Sequence, residues 1–141
     1  MFNCFLVFLK VMMTDPIADM LTRIRNANLS KKKVLVLPYS KIKIRILEIL
    51  KEGNYIMGYE IIKNKFDEIE VKLKYDANGK PSVTVLKRVS KPSRRIYVSK
   101  ENLPTVLNNF GIAIISTSQG IMSNKEAKKK GIGGEVICEV Y

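Results

Sequence analysis

GIAIISTSQGIMSNKEAKKKGIGGEVIC, residues Gly111 to Cys138, is the stretch on which the fold turns. Ile112 to Ile115 is an unbroken apolar run that fits a short buried strand. The polar segment Ser116-Thr117-Ser118-Gln119-Gly120 follows it directly. Ser123 and Glu126 stand in the S-x-x-E spacing of a capping box, which predicts a short helix carrying Lys125 and Lys128 to Lys130 and stopping at Gly131. Gly133-Gly134-Glu135 then leads into a last strand, with Val136, Cys138 and Val140 expected on one face. Strand, helix and strand in so short a span exclude an all-helical chain and predict an α+β fold.

Working towards the N-terminus, Asn102 and Pro104 are expected to open a short helix through Val106, Leu107 and Phe110 that Gly111 ends. Ile96 to Val98 reads as a strand. Before it, KRVSKPSRR, Lys87 to Arg95, packs five cations around Pro92 with no apolar pattern, which predicts a loop. A strand is expected from Val83 to Val89, entered through the Asn-Gly turn signal at Asp76 to Gly79. Glu60 to Lys63 and Ile69 to Tyr75 read as strands, the second alternating Ile69, Val71, Leu73 and Tyr75 against Glu70, Lys72 and Lys74.

Two helices and a strand are predicted ahead of these. Asp15-Pro16 is a helix start, followed by Ile17, Met20, Leu21 and Ile24 as one buried stripe, with Asn26 to Lys33 as loop. Arg25 lies beside that stripe and Arg23 well outside it. Val34 to Leu37 reads as a short buried strand stopped by Pro38. Ser40 is the expected N-cap of a helix from Lys41 to Glu52, with Ile42, Ile46, Ile49 and Leu50 facing inward and Gly53 as its C′ residue. The expected architecture is two small subdomains packed in layers. Residues 13–80 form one of helices plus antiparallel strands, and residues 81–141 form a mainly stranded one. Residues 1–12 belong to an apolar extension outside both, broken by Asn3 and Lys10, too short to span a bilayer as a helix and without the flanks of a secretory signal. Its lack of Arg and Ser also argues against a transit peptide.

The charge points to a polyanionic partner. The chain carries +12 at pH 7, distributed as +7 over residues 1–47, −1 over 48–81 and +6 over 82–141. There is no His, which removes the commonest general base and metal ligand. The two cysteines, Cys4 and Cys138, are isolated near opposite ends, so no disulfide framework or zinc site is expected and a reducing compartment fits. No P-loop, dinucleotide fingerprint or nucleophile elbow is present. An enzyme is therefore not expected, nor is any cofactor or metal.

Within this frame Ser116, Thr117, Ser118 and Gly120 carry the most information. Hydroxyls at a fixed position after a buried strand suit base edges and ribose 2′-hydroxyls, and the alternative is an ordinary polar turn. Lys91, Arg94 and Arg95 on one side and Lys128 to Lys130 on the other could neutralise flanking phosphates. Tyr97 offers a ring for stacking or is a half-buried strand tyrosine; both readings stand. Gly133-Gly134-Glu135 is either a strand entry with special backbone angles or a site where the Glu135 carboxylate orients nearby donors or accepts from a base amino group.

The stretches TDPIADMLTRIRNAN (Thr14 to Asn28), PYSK (Pro38 to Lys41), LKRVSKPSRRIYVS (Leu86 to Ser99) and the opening segment, taken together, resemble the bacterial-type small-subunit ribosomal protein S-eight family from Met13 to Tyr141. That resemblance implies a two-part α+β protein that binds the central domain of small-subunit rRNA and promotes assembly of the subunit platform. Neighbouring small-subunit proteins are the further partners it implies, in a bacterial cytoplasm or an organelle, with no membrane. It nominates Ser116, Thr117, Ser118 and Gly120, supported by Tyr97, Lys91, Gly134 and Glu135, and adds Thr14, Asp15, Arg25, Ser40 and Lys41 from the N-terminal part. Repression of the protein's own operon mRNA by the same surface is the alternative. Charge alone would also allow a non-specific DNA or membrane binder. Ser93 and Arg94 depart from the Gly-Leu common at this place in the family, which makes Arg94 an added contact, and the residues before Met13 have no counterpart.

Overall fold

The computed structural model describes residues 16–63 and 65–141. The N-terminal extension, the Asp15 cap and Thr14 lie outside the described residues. Three helices and eight strands follow along the described chain: α1 Pro16–Leu29, β1 Val34–Pro38, α2 Lys41–Glu52, β2 Ile56–Ile62, β3 Glu68–Leu73, β4 Leu86–Arg88, β5 Tyr97–Val98, β6 Ile112–Thr117, β7 Gly120–Ser123, α3 Asn124–Lys130 and β8 Gly134–Val140. The strands form two antiparallel sheets, ordered β1-β3-β2 and β4-β8-β6-β7, with β5 pairing the other end of β8. The α+β class expected from the pattern is the class observed.

Helix α1 buries Met20, Leu21 and Ile24 as expected but runs on to Leu29, because Ala27, 4% exposed, continues the stripe into the core. Lys31 ends it in the left-handed region (φ 54°). Strand β1 is an outer strand rather than a buried one, with Val34 and Val36 exposed and only Leu37 fully covered. An apolar run alone does not tell a central strand from an edge strand covered on one face.

Helix α2 has the expected span, yet its inner face is rotated. Leu47 and Lys43 are buried with Ile46, Ile49 and Leu50, whereas Ile42 is about half exposed. The C-terminus also differs from expectation, since Gly53 has φ −80° and Asn54 takes the left-handed place at φ 62°. Asn54 and Tyr55 donate their amides to the Lys51 and Leu50 carbonyls at 3.0 and 2.9 Å. These are the paired bonds of a Schellman motif with Asn54 at C′.

Asp76 closes the turn before the second sheet through its carboxylate, which accepts from the Asn78 and Lys80 amides at 2.9 and 2.8 Å. The strand expected from Val83 shortens to Leu86–Arg88. Ahead of it, Thr84 and Val85 both donate to the Tyr141 carbonyl, which breaks the ladder. No α-helix forms between Asn102 and Phe110. Two 3₁₀ turns, Lys100–Asn102 and Leu107–Asn109, take its place, with Leu107 and Asn108 at positive φ.

The pairing of β6 with β8 decides the second sheet. Ile114 sits opposite Cys138 and Ile115 opposite Val136, so Ile137 is an extra residue, a β-bulge. Val136 is thereby turned to the opposite face from Cys138 and Val140, against the simple alternation expected. It joins Val106, Ala113 and Ile115 in a small cluster. The other face belongs to a large cluster joining Met20, Ile24, Ile46, Leu50, Ile69 and Val71 to Ile112, Ile114, Cys138 and Val140. Burial pushes the Cys138 thiol up to about 12, so it stays neutral and packs as an apolar group.

Two arginines reinforce this junction at opposite borders of the second sheet. From α1, the Arg25 Nε donates to the Leu86 carbonyl of β4 at 2.8 Å, and from α2, the Arg45 Nε donates to the Ile121 carbonyl of β7 at 3.0 Å. Because the large cluster is continuous, Ile114→Ala is expected to cost about 2–5 kcal/mol. The loss should appear in one urea transition read identically from the helices and from the second sheet.

Candidate nucleic-acid interface

Strands β6 and β7 are joined by the turn Thr117-Ser118-Gln119-Gly120, with Thr117 paired to Gly120. The Thr117 hydroxyl donates to the Gly120 carbonyl at 2.7 Å and accepts from the Gln119 amide at 3.1 Å. Thr117 therefore holds the turn together, which leaves Ser118 exposed at the tip and Ser116 half-buried at the base. Gly120 has φ 112°, and a Cβ there would meet open space, so its backbone angle is what requires glycine.

Gly134 is needed for a different reason. A Cβ on it would lie 2.1 Å from the Ser116 carbonyl oxygen, and one on Gly133 would lie 2.3 Å from that of Val98. Neither glycine has a positive φ, so close approach of neighbouring backbones, rather than special angles, explains this pair. The approach brings Ser116, Glu135 and Tyr97 into one row across β6, β8 and β5. Directly opposed residues share a face. The Tyr97 side chain is not half-buried: the residue is 69% exposed, with its ring in solvent.

Glu135 is engaged within the protein through one of its carboxylate oxygens. That oxygen accepts from the Ser90 hydroxyl at 2.7 Å and from Arg95 at 2.9 Å. Burial alone would raise its pKa, but the Ser90 hydrogen bond, Arg95 and the charge of Arg88 outweigh that and hold it below the ordinary value. Ser90 is completely buried and also accepts from the Ile96 amide at 3.2 Å. Nothing in the cationic segment around Ser90 marked it as the residue that ties the loop to β8. Next to it, Lys91 and Arg94 exchange both backbone bonds at 3.0 Å, so Pro92 and Ser93 form a tight tip with Lys91 and Arg94 exposed beside it.

An open groove of 780 Å³ runs between α1 and the β4 loop, lined by Thr22, Arg25, Lys87, Arg88 and Lys91. Arg25 is partly committed there through its bond to Leu86, while Arg23 is paired with Asp19 at 3.1 Å. Helix α2 reaches β7 through Arg45 near its start, and Tyr55, just past its end, donates to the Phe110 carbonyl at 3.1 Å, near where β6 begins. The helix therefore runs antiparallel to β6, and its first turn, with Ser40 and Lys41, lies towards the Ser118 turn. Ser40 occupies the N-cap position, but its hydroxyl makes no capping bond. Thus Ser116 to Gly120, Tyr97, Gly134 and Glu135 come together at one end of the second sheet, with Lys91, Arg94 and Arg95 on the adjoining loop.

Among the described residues, no group of three or more His, Cys, Asp or Glu side chains could hold a metal, and no helix is long and apolar enough to cross a membrane. The depressed Glu135 pKa fixes the sign of a pH effect. Its contribution to stability is complete above the unfolded carboxyl pKa and is lost as pH falls through the lower folded value. Glu135→Gln should therefore unfold at lower urea than the parent at neutral pH, and the gap should narrow on acidification through the carboxylate range. Gly134→Ala should disturb the amide signals of Ser116 and Thr117 in a spectrum of the folded protein.

Residues 15–141 match the family described as Ribosomal protein S8. The small ribosomal subunit protein uS8 of Halothermothrix orenii is 52% identical over 129 residues, covering 91% of this chain and 98% of that protein. Proteins of the same name from Caldicellulosiruptor bescii and Streptococcus pneumoniae are each 54% identical, over 128 and 132 residues, covering 90% and 93% of this chain and 97% and 100% of theirs. With identity above one half and a match that takes in both sheets and the three helices of the described residues, the chain belongs to the ribosomal protein S8 family.

Proposed function

We propose that this chain is a structural constituent of the small ribosomal subunit that binds the central domain of 16S-type rRNA and promotes assembly of the subunit platform. The family is non-enzymatic, and its relatives carry the name of a small ribosomal subunit protein. In this reading residues 81–141 recognise the RNA and residues 13–80 add phosphate contacts, with neighbouring small-subunit proteins as further partners. Its place is the cytoplasm, or the organelle that houses the ribosome.

The observation that carries the reading is the turn at the end of the second sheet. Ser118 stands exposed at its tip while Thr117 and Gly120 spend their polar groups holding its shape. A hydroxyl that donates and accepts at a fixed place can answer base edges and ribose hydroxyls, which a flexible lysine reads poorly. Tyr97 adds an exposed ring on the same sheet end, and Lys91, Arg94 and Arg95 add positive charge beside it. Phosphate contacts from these cations supply affinity without sequence information, so the turn and the ring supply the discrimination.

Ser118→Ala is expected to weaken binding to a central-domain rRNA fragment by about 1–2 kcal/mol, the scale of one lost hydrogen bond. Filter binding across a salt series checks this, because a lost base or ribose contact lowers affinity by the same factor at every salt concentration. Equal affinity of variant and parent, or no preference over a scrambled RNA, would overturn the reading.

A further inference from the structure

Strand β7 is the outermost strand of the second sheet, so among the described residues no strand lies on its far side. A side chain from the other half of the molecule fills that place. The Arg45 guanidinium of α2 donates from Nε to the Ile121 carbonyl at 3.0 Å. Ile121 directly follows Gly120, so this bond grips the hairpin at the base of its turn.

The guanidinium is itself held. Its Nη1 donates to Glu48 Oε2 at 2.8 Å, and the other Glu48 oxygen accepts from the Tyr59 hydroxyl of β2 at 3.1 Å. A continuous path of polar bonds thus leads from the first sheet through α2 to the hairpin. The Arg45 and Glu48 side chains are 44% and 39% exposed, so as an ion pair they add little to stability. What the arrangement supplies is direction, because a planar guanidinium fork holds two acceptors at once in fixed geometry.

We propose that Arg45, oriented by Glu48 and Tyr59, is a positioning residue for RNA binding: it holds the Thr117–Gly120 turn and the first turn of α2 as one rigid surface. The proposal rests on the reading that this hairpin meets RNA. Its benefit is preorganisation, since a turn already held in its bound geometry loses less freedom on binding.

The test uses the opposing sign of two effects. Glu48→Ala removes a negative charge from a protein that binds a polyanion, so electrostatics alone predicts equal or tighter binding. Positioning predicts the reverse, because Arg45 loses its anchor. Binding and dissociation of the central-domain rRNA fragment are measured across a salt series for the parent, Glu48→Ala, Tyr59→Phe, Arg45→Met and Ser118→Ala. Amide hydrogen exchange of Gln119 and Gly120 is followed in the RNA-free proteins. Glu48→Ala and Arg45→Met should each bind about fivefold more weakly, the equivalent of one hydrogen bond. The loss should come through faster dissociation, with faster exchange at both amides and an unchanged urea midpoint. Tyr59→Phe should move in the same direction by less.

Unchanged or tighter binding by Glu48→Ala overturns the proposal, as does unaltered exchange in the turn. A fall of about 0.7–0.9 in the slope of log affinity against log salt for Arg45→Met would mark Arg45 as a direct phosphate contact and also overturn it. If Ser118→Ala weakens binding while Glu48→Ala does not, positioning alone fails. If Ser118→Ala binds as the parent does, the hairpin reading fails and positioning falls with it.

Discussion

The continuous apolar cluster that joins helices α1 and α2 and the first sheet to one face of the second sheet is the constraint on which the remaining geometry depends. Ile24, Ile46 and Val71 from the first half and Ile114, Cys138 and Val140 from the second share it. Burial of this kind is strong but non-directional, so by itself it leaves two layers free to slide. Arg25 and Arg45 supply the direction, each binding a carbonyl on an opposite border of the second sheet. Among the described residues no strand pairs the outer side of either border, and each arginine satisfies one carbonyl there while fixing the layers in register.

That register shapes the end of the sheet proposed as the interface. The polar groups there divide into those that build the surface and those that face outward. Thr117, Ser90 and Glu135 are consumed by internal hydrogen bonds, and Gly134 is consumed by the close approach of β8 to Ser116. Ser118, Tyr97, Lys91 and Arg94 are the exposed remainder. A conspicuous hydroxyl-rich motif thus contains both kinds of residue, and residue type alone did not sort them. Thr117 and Ser118 are chemically alike, yet one closes the turn and the other stands at its tip.

Much of this was legible in the residues. The N-cap at Ser123, whose hydroxyl accepts from the Glu126 amide, the left-handed stop at Gly131, the span of α2 and the buried run from Ile112 to Ile115 are all local, and local signals carried them. The misreadings share one cause. The extension of α1 to Leu29, the rotation of α2 that buries Lys43 and exposes Ile42, and the bulge at Ile137 depend on what each element packs against. The helix expected after Asn102 failed because Val106 is drawn into the small cluster while Leu107 and Asn108 adopt positive φ.

By itself the sequence determined the α+β class, most of the elements along the chain, the surplus of positive charge and the hydroxyl-rich segment Ser116 to Gly120, because propensity, periodicity and charge are properties of neighbours along the chain; the helix expected after Asn102 and the unforeseen strand Gly120–Ser123 are the exceptions. Only the tertiary structure decided which hydroxyl faces out, that Glu135 is held by Ser90 and Arg95, and that Arg45 reaches Ile121. Those are contacts between residues tens of positions apart, and they come into being only when the shared core has set the two sheets in place.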